Sequence, residues 1–181
     1  MALVVEGDQP SFSDLARAGA ALKKQVTRDF GPIWSIDATV DAIATLDDVP
    51  LGYWPVIIKA DIQNDNALGY HVDKNGQPFA LVKYTTGWET TCSHEVLEML
   101  VDPFGNTMVS APSIKEGQDR VQYLVEVCDP SEAREYGYSV NGVLLSDFDT
   151  PNSSTRSPRR GRATGSPRRS RSRGPCCPVA T

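Results

Sequence analysis

The residues of this chain that are best suited to chemistry lie in one short segment, Cys92 to Pro103. If the segment is a helix turning by about 100° per residue, four polar side chains fall within an arc of about 100°. They are His94, Glu95, Glu98 and Asp102. Apolar residues fill most of the remaining circumference, which is typical of a buried helix. Because buried charges are costly unless they are paired or bind a metal, the segment predicts a metal site or a buried polar network.

The metal site is the more specific of these two interpretations. His94 and Glu98 lie one helical turn apart, so an imidazole nitrogen and a carboxylate oxygen can face the same ion. Asp102 lies one turn further along and is either a ligand or an acceptor that orients His94. Other ligands must come from elsewhere in the chain, and the candidates are Glu126 and Asp129, with Glu132 as a weaker choice. One histidine with several carboxylates predicts Zn²⁺, although Mn²⁺ and Ca²⁺ are chemically permissible.

Two residues are candidates for catalysis. Glu95 follows the first metal ligand directly and is predicted to be the general base that takes a proton from a metal-activated water. His71 lies on a predicted strand ahead of the motif helix. It is a candidate for binding substrate or stabilising an oxyanion, and the alternative is a surface histidine without a catalytic role.

The segment from His94 to Glu98 resembles the H-E-x-x-H signature of zincin metallopeptidases, with Glu98 in the position of the second histidine. The predicted order of a helix, strands, a hairpin and then the motif helix is also similar to that of zincin domains, over about residues 11–104. The resemblance implies an α+β, zincin-like fold with a small mixed sheet. It also implies that His94 is a zinc ligand, that Glu95 is the general base and that the substrate is a peptide.

The chain also resembles a group of bacterial and phage proteins for which no activity is established. Their pattern is Leu-Gly-Tyr-His, Ser-His-Glu-x-Leu-Glu-x-Leu-x-Asp-Pro, Glu-x-x-Asp-Pro and Ser-Asp-Phe. The matching segments here are Leu68 to His71, Ser93 to Pro103, Glu126 to Pro130 and Ser146 to Phe148. This resemblance covers about residues 54–150 and implies that the folded unit ends near Thr150.

Helical periodicity predicts a first helix near the start of the chain. Ser11 or Ser13 is expected to cap it, and the helix is expected to run to about Asp29 and end at Gly31-Pro32. Its apolar stripe consists of Leu15, Ala18, Leu22 and Val26. The motif helix is expected to begin at Thr90, Thr91 or Ser93 as its N-cap and to end near Asp102, because Pro103 disfavours helical geometry before it.

Alternating and β-branched residues predict the strands that position these helices. The predicted strands are Ile33–Val40, Trp54–Ile58, Leu68–Val72, Phe79–Tyr84 and Val121–Cys128. Asn75-Gly76 and Asn141-Gly142 predict hairpin turns, and the second hairpin is expected to span Tyr136–Leu145. Residues 105–119 are predicted to form a loop.

Charge divides the chain near Thr150. Residues 1–150 contain 23 acidic and ten basic residues, a formal charge of −13, which argues against nucleic-acid binding by this part. Residues 151–181 contain eight arginines and no acidic residue, and they are too poor in apolar residues to fold. This tail either binds RNA or accepts phosphates, or it has no role and represents a non-native reading frame. We favour the second interpretation, because the tail has no lysine whereas six of the ten basic residues before it are lysines.

The remaining features predict a cytoplasmic protein that does not enter a membrane. No stretch approaches the roughly 20 apolar residues of a membrane helix. The N-terminus lacks the basic start and apolar run of a signal peptide. Cys92 and Cys128 are expected to be reduced, half-buried thiols rather than a disulfide.

Together these observations predict one zincin-like, metal-binding domain at residues 1–150 and a disordered tail at residues 151–181. The expected function is metal-dependent hydrolysis, most specifically of a peptide bond. The hairpin around Gly76 is expected to offer an edge strand to an extended substrate. The alternative is a non-catalytic, metal-stabilised structural or interaction protein of phage or bacterial type. A third interpretation makes the tail the functional part.

Overall fold

A five-stranded mixed sheet lies at the centre of the protein, which a computed structural model describes over residues 1–151. The strands are β1 (Ala2–Glu6), β2 (Asp41–Ala42), β3 (Pro55–Lys59), β4 (Gly69–Lys74) and β5 (Gln77–Lys83). Their order is β2-β1-β3-β5-β4, with parallel pairing except between β5 and the edge strand β4. The predicted α+β class with a small mixed sheet is confirmed. The predictions for residues 152–181 lie outside the described residues.

The hairpin of β4 and β5 follows the sequence prediction closely. Asn75 and Gly76 form its turn with φ angles of 56° and 79°, a conformation that asparagine and glycine tolerate best. β3 and β5 also occur close to where alternation and apolar content predicted them. The hairpin therefore brings β4, which carries His71, to the edge of the sheet.

The first helix, α1 (Phe12–Lys24), begins at Ser11, whose Oγ accepts a hydrogen bond from the Asp14 amide at 3.2 Å. The predicted stripe of apolar residues is buried. The helix continues beyond α1 as a π-helical turn, Gln25–Phe30, and as a last short helix, α2 (Gly31–Trp34). It ends at Ser35, which has the left-handed φ of 59°.

The predictions that Gly31-Pro32 ends this helix and that Ile33–Val40 is a strand are wrong. Pro32 lies in the first turn of α2, directly after the π-helical turn, and proline is tolerated at the first turn of a helix. Trp34 stacks on Phe30 with their ring centroids 6.0 Å apart, and its indole N–H donates to the Asp149 carbonyl at 3.0 Å. These tertiary contacts stabilise the helical conformation of this segment, although its β-branched residues favoured a strand.

β1 was not predicted, although it pairs with both β2 and β3 near the middle of the sheet. Ala2, Leu3 and Val4 are almost fully buried there. A strand buried on both faces shows no alternation of apolar and polar residues, so its periodicity gives no signal.

The motif helix, α3 (Trp88–Val101), begins earlier than predicted. Its N-cap is Gly87, with a φ of 85°, and no side chain caps it. The predicted caps Thr90, Thr91 and Ser93 are inside the helix, where Thr90 instead donates to the Leu144 carbonyl at 3.1 Å. The predicted end is confirmed, since Asp102 is the C-cap residue and Pro103 follows it.

Two antiparallel ribbons complete the described fold. One pairs β6 (Met108–Pro112) with β7 (Arg120–Leu124), so the prediction that residues 105–119 form only a loop is wrong. The predicted strand Val121–Cys128 stops at Leu124, and the chain enters a 3₁₀ turn at Asp129–Ser131. The other ribbon, β8 (Tyr138–Val140) and β9 (Val143–Leu145), turns at Asn141-Gly142 as predicted. Short 3₁₀ turns also occur at Leu46–Asp48 and Arg134–Tyr136.

The core lies between the sheet and the two long helices. Its largest buried side chains include Leu3, Leu15, Leu22, Phe30, Ile58, Leu97 and Met99. Cys92 and Cys128 are free thiols, as predicted, and both are fully buried rather than half-buried. Within residues 1–151, no helix combines the length and apolarity that crossing a bilayer would require.

Candidate metal centre

A cleft of about 430 Å³ opens beside α3, and several polar residues of the motif line it. One wall is formed by the N-terminal half of α3, including Thr90, Thr91, His94 and Glu95. The start of β4 forms a second wall, with Leu68 and Gly69. The third wall is formed by Asp129, Glu132, Arg134 and Ser146. The cleft thus brings together four polar residues of α3 and acids from a segment more than 30 residues away.

His94 is the centre of a cluster of three side chains from two parts of the chain. Its Nε2 lies 3.1 Å from Glu98 Oε2, one helical turn along α3. The same nitrogen lies 3.4 Å from Asp129 Oδ1, at the start of the 3₁₀ turn. The exposed fractions of the three side chains are 16% for His94, 5% for Glu98 and 34% for Asp129. The cluster is therefore mostly buried and reaches solvent through its aspartate.

The segment that carries Asp129 is fixed directly to α3. The amide of Cys128 donates to Glu98 Oε1 at 3.2 Å, while Oε2 of the same carboxylate faces His94. The Cys128 thiol donates to the carbonyl of His94 at 3.7 Å. Glu98 thus has one oxygen that holds the second segment in place and one that faces the cluster.

The two separations from His94 Nε2 to Glu98 and to Asp129 are compatible with a bound divalent ion. Zinc lies about 2.0–2.1 Å from nitrogen and oxygen ligands, so two ligand atoms of a tetrahedral site are about 3.3 Å apart. The separations of 3.1 Å and 3.4 Å around His94 match this spacing, although an ion pair has the same spacing. Cys128 Sγ also lies within 4.8 Å of ligand atoms of His94 and Glu98. Burial raises the pKa of this thiol well above its ordinary value, and the charge of Glu98 adds to the effect, which disfavours the thiolate that metals prefer.

Negative charge accumulates around His94. Burial lowers the pKa of His94, but the hydrogen bonds with Asp129 and Glu98 outweigh burial and raise it to about 11. Burial raises the pKa of Glu126 to about 8, with further contributions from the charges of Glu98 and Asp129. Among residues 1–151, no lysine or arginine forms an ion pair with Glu98, Glu126 or Asp129. Such a concentration of acids attracts protons or a cation.

Glu95 faces the cleft next to His94 and packs tightly against β4. A Cβ atom added at Gly69 would lie 2.8 Å from Glu95 Oε1 and 2.7 Å from Thr91 Cγ2. Only a glycine at this position therefore leaves room for the carboxylate. Burial raises the pKa of Glu95, and the hydrogen bond from His71 partly opposes this rise.

His71 lies behind Glu95 and is absent from the residues that line the cleft. Its Nδ1 is 3.4 Å from Glu95 Oε2, and its Nε2–H donates to the carbonyl of Asp102 at 2.9 Å. Burial lowers the pKa of His71, but the hydrogen bond and charge of Glu95 help to raise it overall. Both ring nitrogens thus face protein groups, so the residue that meets the cleft is Glu95.

Asp102 was predicted to be a ligand or an orienting acceptor, but the hydrogen bonds of its carboxylate are with Thr107. The two oxygens accept hydrogen bonds from the Thr107 amide at 2.8 Å and the Thr107 hydroxyl at 2.9 Å. The backbone carbonyl of Asp102 instead accepts a hydrogen bond from His71, which lies behind Glu95.

A buried polar network holds α3 in place. Ser93 Oγ donates to Gln25 Oε1 at 2.9 Å and accepts from the Ser146 amide at 3.1 Å. The amide of the Gln25 side chain donates to the Ser146 carbonyl at 2.8 Å. All three residues are almost fully buried. The network joins the π-helical turn, the motif helix and the segment after β9.

The predicted residues His94, Glu95, Glu98 and Asp129 therefore meet at one site, and the charge of Glu126 influences it. The sequence prediction missed Gly69, Gln25 and the approach of the Cys128 thiol. The position of Cys128 between Glu126 and Asp129 was a usable signal, because any fold that brings those acids to His94 also brings the thiol.

Comparisons with protein-family models, with curated proteins and with solved structures find no match for this chain. The zincin resemblance and the roles of the site residues therefore stay predictions.

Proposed function

We propose that this protein is a metal-dependent hydrolase whose expected substrates are peptides. The observation that carries the proposal is that His94 Nε2 lies 3.1 Å from Glu98 Oε2 and 3.4 Å from Asp129 Oδ1, beside a cleft that His94, Glu95 and Asp129 line. One imidazole and two carboxylates are a donor set that Zn²⁺ accepts, and Mn²⁺ is an alternative. The two carboxylate charges balance a divalent cation.

His94 and Glu98 would hold the cation from the buried side, and Asp129 would hold it from the edge of the cleft. A divalent cation at this position supplies Lewis-acid activation of water or of a carbonyl group. The carboxylates of Glu98 and Asp129 are sufficient to bind the cation, so Asp102 is not needed as a ligand. Glu126 is half-buried nearby and is the remaining candidate for a further ligand or for a hydrogen-bond acceptor behind the ligands.

Glu95 would accept a proton from the attacking water and pass it to the leaving amine. Burial favours this role, because a carboxylate whose pKa is raised is a more effective base near neutral pH. Its Oε1 lies against Gly69 of the cleft wall, whereas Oε2 is held by His71. His71 would thus orient Glu95 rather than bind the substrate itself.

The sheet edge supports a peptide substrate and a zincin-like arrangement. In the described part of the chain, β4 pairs only with β5, so its other edge has free backbone groups. The cleft begins where β4 begins, at Leu68 and Gly69. An extended peptide could add to this edge and pass in front of Glu95.

Metal analysis of the purified full-length protein tests the proposal. We expect about one equivalent of Zn²⁺ or another divalent ion to depend on His94, because a metal site loses affinity with its imidazole ligand. The His94→Ala variant should lose that equivalent, and the control Glu116→Gln, at an exposed glutamate outside the cleft, should keep it. Equal metal content in His94→Ala and the wild type would contradict the assignment.

Hydrolysis is tested separately with a mixture of quenched fluorescent peptides. Glu95→Gln should keep the metal of the His94 cluster and lose most turnover, by roughly 10²-fold or more, because the proton acceptor is gone. Turnover equal to that of the wild type would exclude Glu95 as the base.

The burial of the ligands favours a second candidate function, a non-catalytic protein stabilised by its metal. Only 5% of the Glu98 side chain is exposed, which suits a structural ion as well as a catalytic one. In that case the wild type would bind the metal at His94, melt at a lower temperature without it, and hydrolyse none of the peptides.

A further inference from the structure

We infer that His71, Glu95 and Glu98 form a second position for a divalent cation, with Glu98 shared between this position and the one at His94. The inference goes beyond the proposed function, since it requires neither hydrolysis nor an ion at His94. It rests on the distances between the ligand atoms, on the orientation of the His71 ring and on burial.

The three side chains offer a compact set of ligand atoms. One nitrogen of His71 and one oxygen from each glutamate all lie within 4.8 Å of one another. His71 Nδ1 is 3.4 Å from Glu95 Oε2, which is longer than the roughly 2.7–2.9 Å of a charge-assisted hydrogen bond. It is close to the separation of about 3.3 Å between two ligands of one tetrahedral ion.

The imidazole of His71 is oriented as a metal-binding imidazole usually is. Its Nε2–H donates to the carbonyl of Asp102 at 2.9 Å, which leaves Nδ1 directed toward the glutamates. Histidine ligands generally donate their other ring N–H to a carbonyl or carboxylate in this way. The Asp102 anchor is itself fixed, because its amide donates to the Glu98 carbonyl at 2.7 Å and its carboxylate binds Thr107.

Burial and charge favour a cation at this position. The side chains of His71, Glu95 and Glu98 are 6%, 6% and 5% exposed, so two carboxylates are held away from water. No lysine or arginine of residues 1–151 forms an ion pair with either glutamate. A neutral imidazole with two carboxylates carries two negative charges, which a single divalent ion balances.

The oxygens of Glu95 and of Glu98 face different groups. Glu95 turns Oε2 toward His71 and Oε1 toward Gly69 at the cleft. Glu98 turns Oε2 toward His94 and Oε1 toward the Cys128 amide. The two cation positions are adjacent through Glu98, because one of its carboxylate oxygens lies within 4.8 Å of ligand atoms of His71 and Glu95 while Oε2 lies 3.1 Å from His94 Nε2.

Equilibrium dialysis of the full-length, chelator-treated protein against Zn²⁺, with metal counted by mass spectrometry, tests the inference. The wild type should bind about two equivalents, and His71→Gln and His94→Gln should each bind about one. Glutamine keeps a side-chain N–H for the Asp102 carbonyl, and circular dichroism with a thermal melt should verify that each variant is folded. Glu116→Gln, which removes an exposed carboxylate outside the cleft and the candidate ligand sets, is the matched control and should bind as the wild type does.

The outcomes separate this inference from the proposed function. One equivalent in the wild type that persists in His71→Gln and disappears in His94→Gln would overturn the second position and leave the first intact. One equivalent that disappears only in His71→Gln would support the position inferred here and overturn the site at His94. No bound Zn²⁺ in the wild type would overturn both.

Discussion

At the scale of single residues, Gly69 determines how closely the edge strand approaches the motif helix. Its backbone is extended within β4, so glycine is required there for space rather than for an unusual φ angle. The absent side chain lets Glu95 lie directly against the strand, with Oε1 on the cleft side. A carboxylate held this tightly is positioned by packing as well as by its hydrogen bond to His71.

The Gly69→Ala variant is expected to displace Glu95, because the new methyl group would lie 2.8 Å from Oε1 and 3.0 Å from Cγ. We expect a loss of about 1–3 kcal/mol in the free energy of unfolding from overpacking. Peptide hydrolysis should fall while metal at His94 is retained. Denaturant unfolding, metal analysis and the peptide assay measure the three effects.

Gly19→Ala provides the matched control for that variant. Gly19 is also buried, but an added Cβ there would meet its nearest neighbour at 3.5 Å, an ordinary contact. Alanine is favoured over glycine in a helix by about 1 kcal/mol, so this variant should be neutral or stabilised. A Gly69→Ala protein that behaves like Gly19→Ala would show that Glu95 is not confined by β4.

At the scale of elements, α3 is positioned by polar contacts at its buried face as well as by apolar packing. Ser93 immediately precedes His94, so its hydrogen bonds to Gln25 and Ser146 fix the rotation of the helix that presents His94 and Glu95. The ring of hydrogen bonds is closed, since Gln25 also donates to Ser146. Closed buried networks of this kind specify one arrangement of the surrounding elements.

Removing the Ser93 hydroxyl is expected to destabilise the fold and loosen the site together. In Ser93→Ala, the Ser146 amide and Gln25 Oε1 would each lose a buried partner, at a cost of about 1–3 kcal/mol for each unsatisfied group. Denaturant unfolding should report the loss of stability, and Zn²⁺ dialysis should report weaker binding at His94.

The exposed Ser13 on α1 is the control for this substitution, and Ser13→Ala should change stability by no more than about 0.5 kcal/mol. Equal stability of the Ser93 and Ser13 variants would exclude a role for the network in positioning α3.

At the scale of the whole molecule, the sequence predicted the elements whose signals are local. The polar face of α3 and the two Asn-Gly turns depend on residues close together in the chain and were recognised, and Ser11 is one of the two serines that were expected to cap α1. β1 depends on parallel pairing with β2 and β3, which are distant in sequence, and its uniform burial removes the alternation that identifies strands.

The site was predicted in part for the same reason. The spacing of His94 and Glu98 follows from helical periodicity, whereas the 3.4 Å contact between His94 and Asp129 depends on how the chain returns after β7. Glu126 and Asp129 were found only because acids at the end of an apolar segment need a partner. The position of His71 behind Glu95, rather than in the cleft, follows from tertiary packing and had no sequence signal.

Proton binding is also a property of the whole molecule, because the folded protein binds additional protons when no metal is present. Burial and the charges of Glu98 and Asp129 raise the pKa of Glu126 to about 8. Burial lowers the pKa of His94, but its acidic partners outweigh burial and raise this pKa to about 11. An unfolded glutamate releases its proton near its ordinary value of 4.5, and an unfolded histidine near 6.5. At a pH between the unfolded and the folded pKa of either group, the folded protein therefore binds more protons than the unfolded chain.

The metal-free protein is accordingly expected to lose stability as the pH rises from about 5 to about 8, because stability falls with pH wherever the folded state binds more protons. Melting temperatures of the chelated protein across this range measure the effect. Glu126→Gln should weaken the dependence on pH, and Glu116→Gln, at an exposed glutamate outside the cleft, should leave it unchanged. With saturating Zn²⁺ the trend should reverse, since the ion displaces protons and binds more tightly as the pH rises. A chelated protein whose melting temperature rises from pH 5 to pH 8 would contradict this account of the charge around His94.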